Sequence, residues 1–180
     1  MKTAEELYAY CQENNFGKGL SKKWDKKHCQ LAVNTLAQDE EVLMMFIGNH
    51  DFKSVKESSG FCAYLLTDRR LIIAQKRVVG DLLKIVNLNM INDITLRSSI
   101  MGILVIDTIK ETIQVGLNKK VAKNVLIKIN EILYSIKSKK NTTSSPEKDI
   151  VKELKGLKEL LDQGVLTQAE FDTQKAKLLN

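Results

Sequence analysis

The sequence has few of the residues that mark secreted, metal-binding or membrane-spanning proteins. Its three cysteines, Cys11, Cys29 and Cys62, are odd in number and widely spaced, and no two of them form a C-x-x-C pair. This pattern predicts neither a disulfide framework nor a zinc ribbon. We predict that the three cysteines are buried and act as small hydrophobic residues. The sequence also lacks an apolar run of membrane-spanning length and an N-terminal secretory signal. We therefore expect a cytoplasmic protein.

Catalytic signatures are equally scarce. The sequence contains no phosphate-binding glycine loop, dinucleotide-binding turn, zinc-protease helix or nucleophile elbow. His28 stands beside Cys29, but neighbours on a helix point about 100° apart, and the other histidine, His50, falls in a loop. The acids of residues 39–41 have the character of solvated turn residues. We predict no enzyme activity, no catalytic residue, no metal ligand and no cofactor.

The net charge of +6 is unevenly distributed along the chain. Residues 146–180 hold six lysines and seven acids, so the first 145 residues carry the whole basic surplus. Such a surplus favours anionic partners such as lipid headgroups or nucleic acid, and it is also typical of an ordinary soluble domain. Aromatic residues make up only 6% and do not alternate with arginine, which disfavours nucleic acid as a partner.

The chain reads as helices, then strands, then a helix. Residues 4–14 and 21–38 predict two helices, the second with Ser21 as its N-cap. Short β-branched runs between turn signals then predict seven antiparallel strands. These strands are expected at residues 42–48, 61–67, 71–76, 82–88, 91–97, 103–107 and 112–117. An amphipathic helix follows from Lys119 to about Lys137, and its apolar stripe must cover an apolar surface.

Seven antiparallel strands followed by one covering helix predict an α+β protein with the pleckstrin-homology (PH) superfold. In that fold two bent sheets form a partly open barrel that the helix closes at one end. The segments YLLTDRRLII at 64–73, MINDI at 90–94 and GILVI at 102–106 resemble bacterial PH-like domains of the YokE-like kind. We expect Thr67, Asp68 and Arg70 in this pattern to be structural, because Thr67 and Asp68 favour the hairpin turn.

The last part of the chain predicts a small helical hairpin. Residues 139–146 are polar and contain the only proline, which is typical of a flexible linker. Gly164 is placed to end a first helix, and Thr167 and Glu170 form a T-x-x-E capping box that begins a second. The apolar stripe of the first helix consists of Ile150, Leu154, Leu157, Leu160 and Leu161.

This hairpin resembles the SHOCT family of short C-terminal domains. Residues 157–179 carry the pattern L-x-x-L-L-x-x-G-x-x-T-x-x-E-F-x-x-x-K-x-x-L-L of that family. About 30 residues bury too little apolar surface to fold without help, so the hairpin needs a second surface. We expect it to dock on a copy of itself or on another protein. The predicted partner-binding residues are Leu157, Leu160, Leu161, Phe171, Leu178 and Leu179.

These observations predict four regions: an N-terminal helical segment at 1–38, a bacterial PH-like domain at 39–138, a linker at 139–146 and a SHOCT hairpin at 147–180. The expected function is a non-catalytic scaffold that forms homo-oligomers or binds a protein partner.

The alternative function is a peripheral module that binds anionic lipid at the inner face of the membrane. Its candidate ligand residues are Lys53, Lys56, Lys76 and Arg77, with Phe52 as an insertion residue. The segment FCAY at 61–64 lacks the arginine of phosphoinositide-binding PH domains, which argues against recognition of a specific headgroup.

Overall fold

The computed structural model describes residues 3–54, 56–98, 100–143, 154, 158, 161 and 167–179. Helices α1 (Ala4–Glu13) and α2 (Lys22–Val33) precede seven strands. Helix α3 (Lys119–Thr143) follows the strands, and helix α4 (Gln168–Leu179) lies near the C-terminus. The chain forms two compact units, Met1–Leu133 and Tyr134–Asn180. The described helices include none that is both long and apolar enough to cross a membrane.

The seven strands form one open antiparallel sheet, which confirms the predicted PH-like fold. The strands are β1 (Val42–His50), β2 (Gly60–Thr67), β3 (Arg70–Gln75), β4 (Leu82–Asn87), β5 (Ile91–Ser98), β6 (Gly102–Thr108) and β7 (Thr112–Leu117). Their order in the sheet is β4-β3-β2-β1-β7-β6-β5, so β4 and β5 are the edges. A short 3₁₀ helix, Leu88–Met90, connects these two edge strands.

Strands β1 and β7 separate soon after they meet. They pair only through Asn49 with Gly116 and His50 with Val115, whereas β1 pairs with β2 along nearly its whole length. Beyond that point the Ile47 amide donates a hydrogen bond of 3.0 Å to the Phe16 carbonyl in the α1–α2 connection. The α1–α2 connection therefore forms a backbone hydrogen bond with β1 where β7 no longer pairs with that strand.

The N-terminal helices pack on strands β1–β3. Helix α1 lies on β1, and α2 lies on β2 and β3. Consecutive residues of these strands, such as 44–47 in β1, are all inaccessible to solvent, so both faces of this part of the sheet are buried. An antiparallel sheet with one solvated face would instead alternate buried and exposed residues. The helix pair is thus part of the main hydrophobic core.

Helix α2 begins at the predicted residue but ends earlier than predicted. The Ser21 side chain accepts a hydrogen bond of 3.4 Å from the Trp24 amide, which confirms the N-cap. The helix ends at Val33, although the sequence pattern predicted an end near residue 38. Its buried face consists of Asp25, His28, Cys29 and Ala32, whereas Trp24 and Leu31 of the predicted face are only half-buried.

The segment after α2 is fastened to the β2–β3 hairpin by a buried ion pair. Arg70 contacts both carboxylate oxygens of Glu40, at 2.7 and 2.6 Å, and its Nη2 also donates to the Thr35 carbonyl at 2.8 Å. Glu40 is 1% exposed, so the prediction that residues 39–41 are solvated is wrong at this position. The Arg70 guanidinium lowers the pKa of Glu40 to about 2.

Two hairpin turns use a buried threonine in the same way. The Thr67 hydroxyl accepts hydrogen bonds from the Arg69 and Arg70 amides and donates one to the Arg70 carbonyl. Thr108 makes the equivalent bonds to the two residues before β7. These contacts satisfy the polar groups of each turn locally, as expected for threonine in turns. The structural role predicted for Thr67 is therefore confirmed.

Helix α3 is amphipathic, as predicted, and is longer than predicted. Ala122, Val125, Ile129 and Ile132 are buried, and Gly102 at the start of β6 leaves room for the Ala122 side chain. The helix continues to Thr143 and does not end near Lys137. Residues 139–143 of the predicted linker are therefore helical.

Candidate functional site

The two histidines are buried parts of the fold. His28 Nδ1 accepts a hydrogen bond of 2.8 Å from the Lys76 amide, so α2 is bonded to the end of β3. His50 Nδ1 lies 2.7 Å from the Tyr64 hydroxyl, and the Tyr64 ring stacks on Phe46. Burial lowers the pKa of both imidazoles, which favours their neutral forms. Each ring therefore satisfies a neighbouring polar group inside the core.

The three cysteines are also buried, as predicted. Burial raises the pKa of Cys11 and Cys62 to about 12, and it raises the pKa of Cys29 as well. The thiolate is the reactive form of cysteine, so these groups are poor nucleophiles at neutral pH. Within the described residues, no group of three or more His, Cys, Asp or Glu side chains is placed to hold a metal ion.

The β1–β2 loop differs from its predicted form. Phe52 is only 4% exposed, because its ring lies against Gly116 and its amide donates to the Gln114 carbonyl at 3.1 Å. The prediction that Phe52 is a surface residue for membrane insertion is therefore wrong. Lys53 is exposed and pairs with Glu57 at 2.8 Å, and Lys56 is exposed in the same loop.

A shallow cleft of about 410 Å³ lies beside this loop. Asp51, Lys53 and Glu57 are its charged lining residues. Two carboxylates therefore accompany one lysine, and that lysine is already paired with one of them. This balance of charge gives an anionic ligand little net attraction, even though Lys53 was one of the predicted anion-binding residues.

The β3–β4 hairpin carries the other two candidate cations. Lys76 pairs with Asp81 at 2.7 Å, and Arg77 donates to the Gln75 side chain at 2.5 Å. Between them and Gly80 stand Val78 and Val79, which are 89% and 87% exposed. The tip of this hairpin is therefore an exposed apolar pair beside two cations, a feature that the sequence analysis missed.

Gln75 links the two predicted groups of cations. Its side-chain amide donates to the Ser59 carbonyl at the end of the β1–β2 loop, at 2.8 Å. Its side-chain oxygen accepts the hydrogen bond from Arg77. The base of the β3–β4 hairpin is thus bonded to the loop that carries Lys53 and Lys56.

Helix α4 begins with the predicted capping box. The Thr167 amide donates to Glu170 Oε2 at 2.9 Å, and the Glu170 amide donates to the Thr167 hydroxyl at 3.4 Å. The hydrogen bonds that the Thr167 amide and hydroxyl donate to the Glu170 carboxylate lower the pKa of Glu170. Phe171, in the first turn of the helix, is half-buried.

The other predicted partner-binding residues have varied placements. Leu161 is helical and half-buried, and Leu178 and Leu179 form the end of α4. Leu157 and Leu160 lie outside the described residues, as does the predicted helix stop at Gly164.

Comparisons with known families agree with both resemblances. The family model described as "Bacterial PH domain" matches residues 36–153, and the model described as "Short C-terminal domain" matches residues 152–179. Among solved structures the chain is similar to one titled "Autoinhibited Vav1", at 13% identity and a TM-score of 0.39. That similarity covers 72% of this chain, which spans only 24% of the other chain. The curated proteins include no match to this sequence.

Proposed function

This chain belongs to the bacterial PH domain family, and we propose that it is a non-catalytic scaffold whose C-terminal hairpin joins it to copies of itself or to a protein partner. The PH-like domain serves as the interaction platform. The buried histidines and high-pKa thiols support a non-catalytic role, because neither the two imidazoles nor the three thiols face solvent as proton carriers or nucleophiles.

The observation that carries this proposal is the size and pattern of the C-terminal domain. Its matched region spans residues 152–179, and α4 contributes 12 residues with a half-buried aromatic in the first turn. Isolated helices of about 12–15 residues are only marginally stable in water. Apolar positions on such a short element are stable only when a further surface covers them, and a second protein molecule supplies that surface.

Self-association is tested by light scattering after size-exclusion chromatography of the full chain. Phe171→Asp places a charge on the proposed docking face, and Thr173→Asp places the same charge at an exposed position on the opposite face of the same helix. We expect an oligomer for the full chain and for Thr173→Asp. Phe171→Asp, and a chain that ends at Ser145, should have the mass of a protomer. The same number of protomers per particle in all four proteins would refute self-association.

Binding to a different protein is tested with the same variants as baits in native cell extract. A true partner of the hairpin is retained by the full chain and by Thr173→Asp and is lost from Phe171→Asp. A protein retained equally by all three baits does not use this face.

The exposed β3–β4 tip favours a second candidate function, weak association with anionic membranes. Burying two valines contributes about 3 kcal/mol, and each basic residue near an anionic surface adds about 1 kcal/mol. Lys76 already pairs with Asp81, which reduces its share. The sum supports reversible attachment but no stable anchor.

Co-sedimentation with vesicles distinguishes this second candidate. Vesicles of phosphatidylcholine and phosphatidylglycerol should bind the chain at low salt, and vesicles of phosphatidylcholine alone should not. Val79→Asp should abolish binding, whereas Ile100→Asp, at an exposed residue in another loop, should have little effect. Absence of binding at low salt, or equal loss in both variants, would exclude a membrane role for this hairpin.

A further inference from the structure

A cleft of about 620 Å³ lies in the N-terminal unit, at the point where β1 and β7 separate. The α1–α2 connection borders it on one side, and the end of β7 with the start of α3 borders it on another. Its volume lies within the range of roughly 300–1,000 Å³ that small-molecule sites occupy. It shares no lining residue with the smaller cleft beside the β1–β2 loop.

The lining combines apolar side chains with cations. Phe61, Met101 and Val121 are half-buried and provide apolar surface that an organic ligand can cover. Lysines line the cleft from two separate elements, Lys18 in the α1–α2 connection and Lys120 in the first turn of α3. The lining residues include no carboxylate, in contrast to the two acids of the smaller cleft.

Asn49 adds a specific polar requirement. Its Oδ1 is inaccessible to solvent and accepts no hydrogen bond from the described residues, although the residue lines the cleft. Buried polar atoms in folded proteins nearly always have a partner, because an unpaired acceptor costs about 1–3 kcal/mol. A small rotation of the Asn49 side chain toward the cleft would let the N–H or O–H group of a ligand satisfy this oxygen.

We propose that this cleft binds a small amphipathic acid: a molecule with an apolar body, one anionic group for Lys18 and Lys120, and one hydrogen-bond donor for Asn49. This binding site is independent of the scaffold function and of the C-terminal hairpin. It would let a small molecule act on the same chain that assembles with protein partners.

The proposal is tested on the full chain with two fluorescent probes of matched shape. Anilinonaphthalene sulfonate has an apolar body, an N–H donor and an anionic group, and phenylnaphthylamine has the same body and donor without the charge. We expect the sulfonate to bind at one site per chain and at least about tenfold more tightly than the neutral probe. Amide NMR shifts on binding should centre on Gly17, Asn49 and Gly116.

Lysine variants separate specific from general binding. Replacing Lys18 and Lys120 together by alanine should weaken binding of the sulfonate about tenfold. Replacing Lys23 and Lys123, two exposed lysines outside the lining, removes the same charge and should leave the affinity unchanged. Equal affinities in both double variants, a preference for the neutral probe, or NMR shifts centred elsewhere would overturn the proposal.

Discussion

Arg70 and Glu40 form a two-point ion pair, in which Arg70 Nε lies 2.7 Å from Oε1 and Nη2 lies 2.6 Å from Oε2. The pair joins residues 30 positions apart and is almost excluded from solvent on the Glu40 side. Arg69, its immediate neighbour, makes a similar contact with Asp39 at 3.0 Å, but that pair is exposed. Arg70 and Arg69 therefore allow a buried ion pair to be compared with an exposed ion pair at the same β2–β3 turn.

Arg70→Gln should destabilise the protein much more than Arg69→Gln. Removing Arg70 leaves the Glu40 carboxylate buried without its cation, which costs about 3 kcal/mol, whereas an exposed pair contributes less than about 1 kcal/mol. Urea unfolding followed by circular dichroism measures both changes. Equal midpoints for the two variants would contradict the structural role of Arg70.

The same ion pair predicts a loss of stability in acid. Glu40 has a folded pKa of about 2, below its ordinary value of 4.5. Its contribution is therefore complete above about pH 4.5 and is lost as the pH falls toward 2. The free energy of unfolding of wild type should fall across this range more steeply than that of Glu40→Gln. Parallel curves for the two proteins would show that Glu40 does not carry the effect.

His28 predicts a second pH effect in a higher range. Burial lowers its pKa below the ordinary 6.5, with Asp81 opposing, and its Nδ1 must remain unprotonated to accept the Lys76 amide. Stability should therefore decrease as the pH falls below about 6.5. An NMR titration should give His28 a pKa below 6.5, and exchange of the Lys76 amide should quicken as the ring protonates. A pKa above 6.5 would contradict this arrangement.

Thr167→Ala should weaken the start of helix α4. Loss of the N-cap costs about 1 kcal/mol, so amide exchange in the first two turns should quicken about fivefold. Thr173→Ala is the control, because the Thr173 hydroxyl only bonds the Ala169 carbonyl within the helix and alanine is the better helix former. Slower exchange in Thr167→Ala than in the control would contradict the capping box.

Gly17→Ala should be among the most damaging substitutions of a single methyl group. Gly17 has φ of +98°, and a Cβ there would overlap the Ile47 carbonyl oxygen, so we expect a loss of about 3 kcal/mol or more. Gly80 also has a positive φ, +64°, but no atom within 4 Å of an added Cβ, and Gly80→Ala should cost only about 1 kcal/mol. Equal unfolding midpoints would contradict the close approach at Ile47.

Local signals in the sequence were enough to predict the elements of this fold. β-branched runs and turn residues place each strand within a few positions, because both signals depend on neighbours along the chain. The caps of Ser21 and Thr167 were predictable for the same reason, since each threonine or serine bonds an amide three residues away.

Features set by distant contacts were not predictable in this way. Glu40 has the sequence context of a solvated turn, and the cation that compensates its buried charge, Arg70, lies on a hairpin 30 residues later. Phe52 has the context of an exposed loop residue, yet Gly116 on β7 provides the space that its ring fills.

The packing of α1 and α2 on strands β1–β3 has a consequence for how relatives of this chain evolve. The family match begins at residue 36, after both helices, so a relative that consisted of the matched region alone would lack the cover that α1 and α2 give to strands β1–β3. In such a relative the strand positions beneath the helices would be free to become hydrophilic. In relatives that keep the helices, the same strand positions should vary only among apolar residues. The two groups of relatives should therefore differ in polarity at these positions.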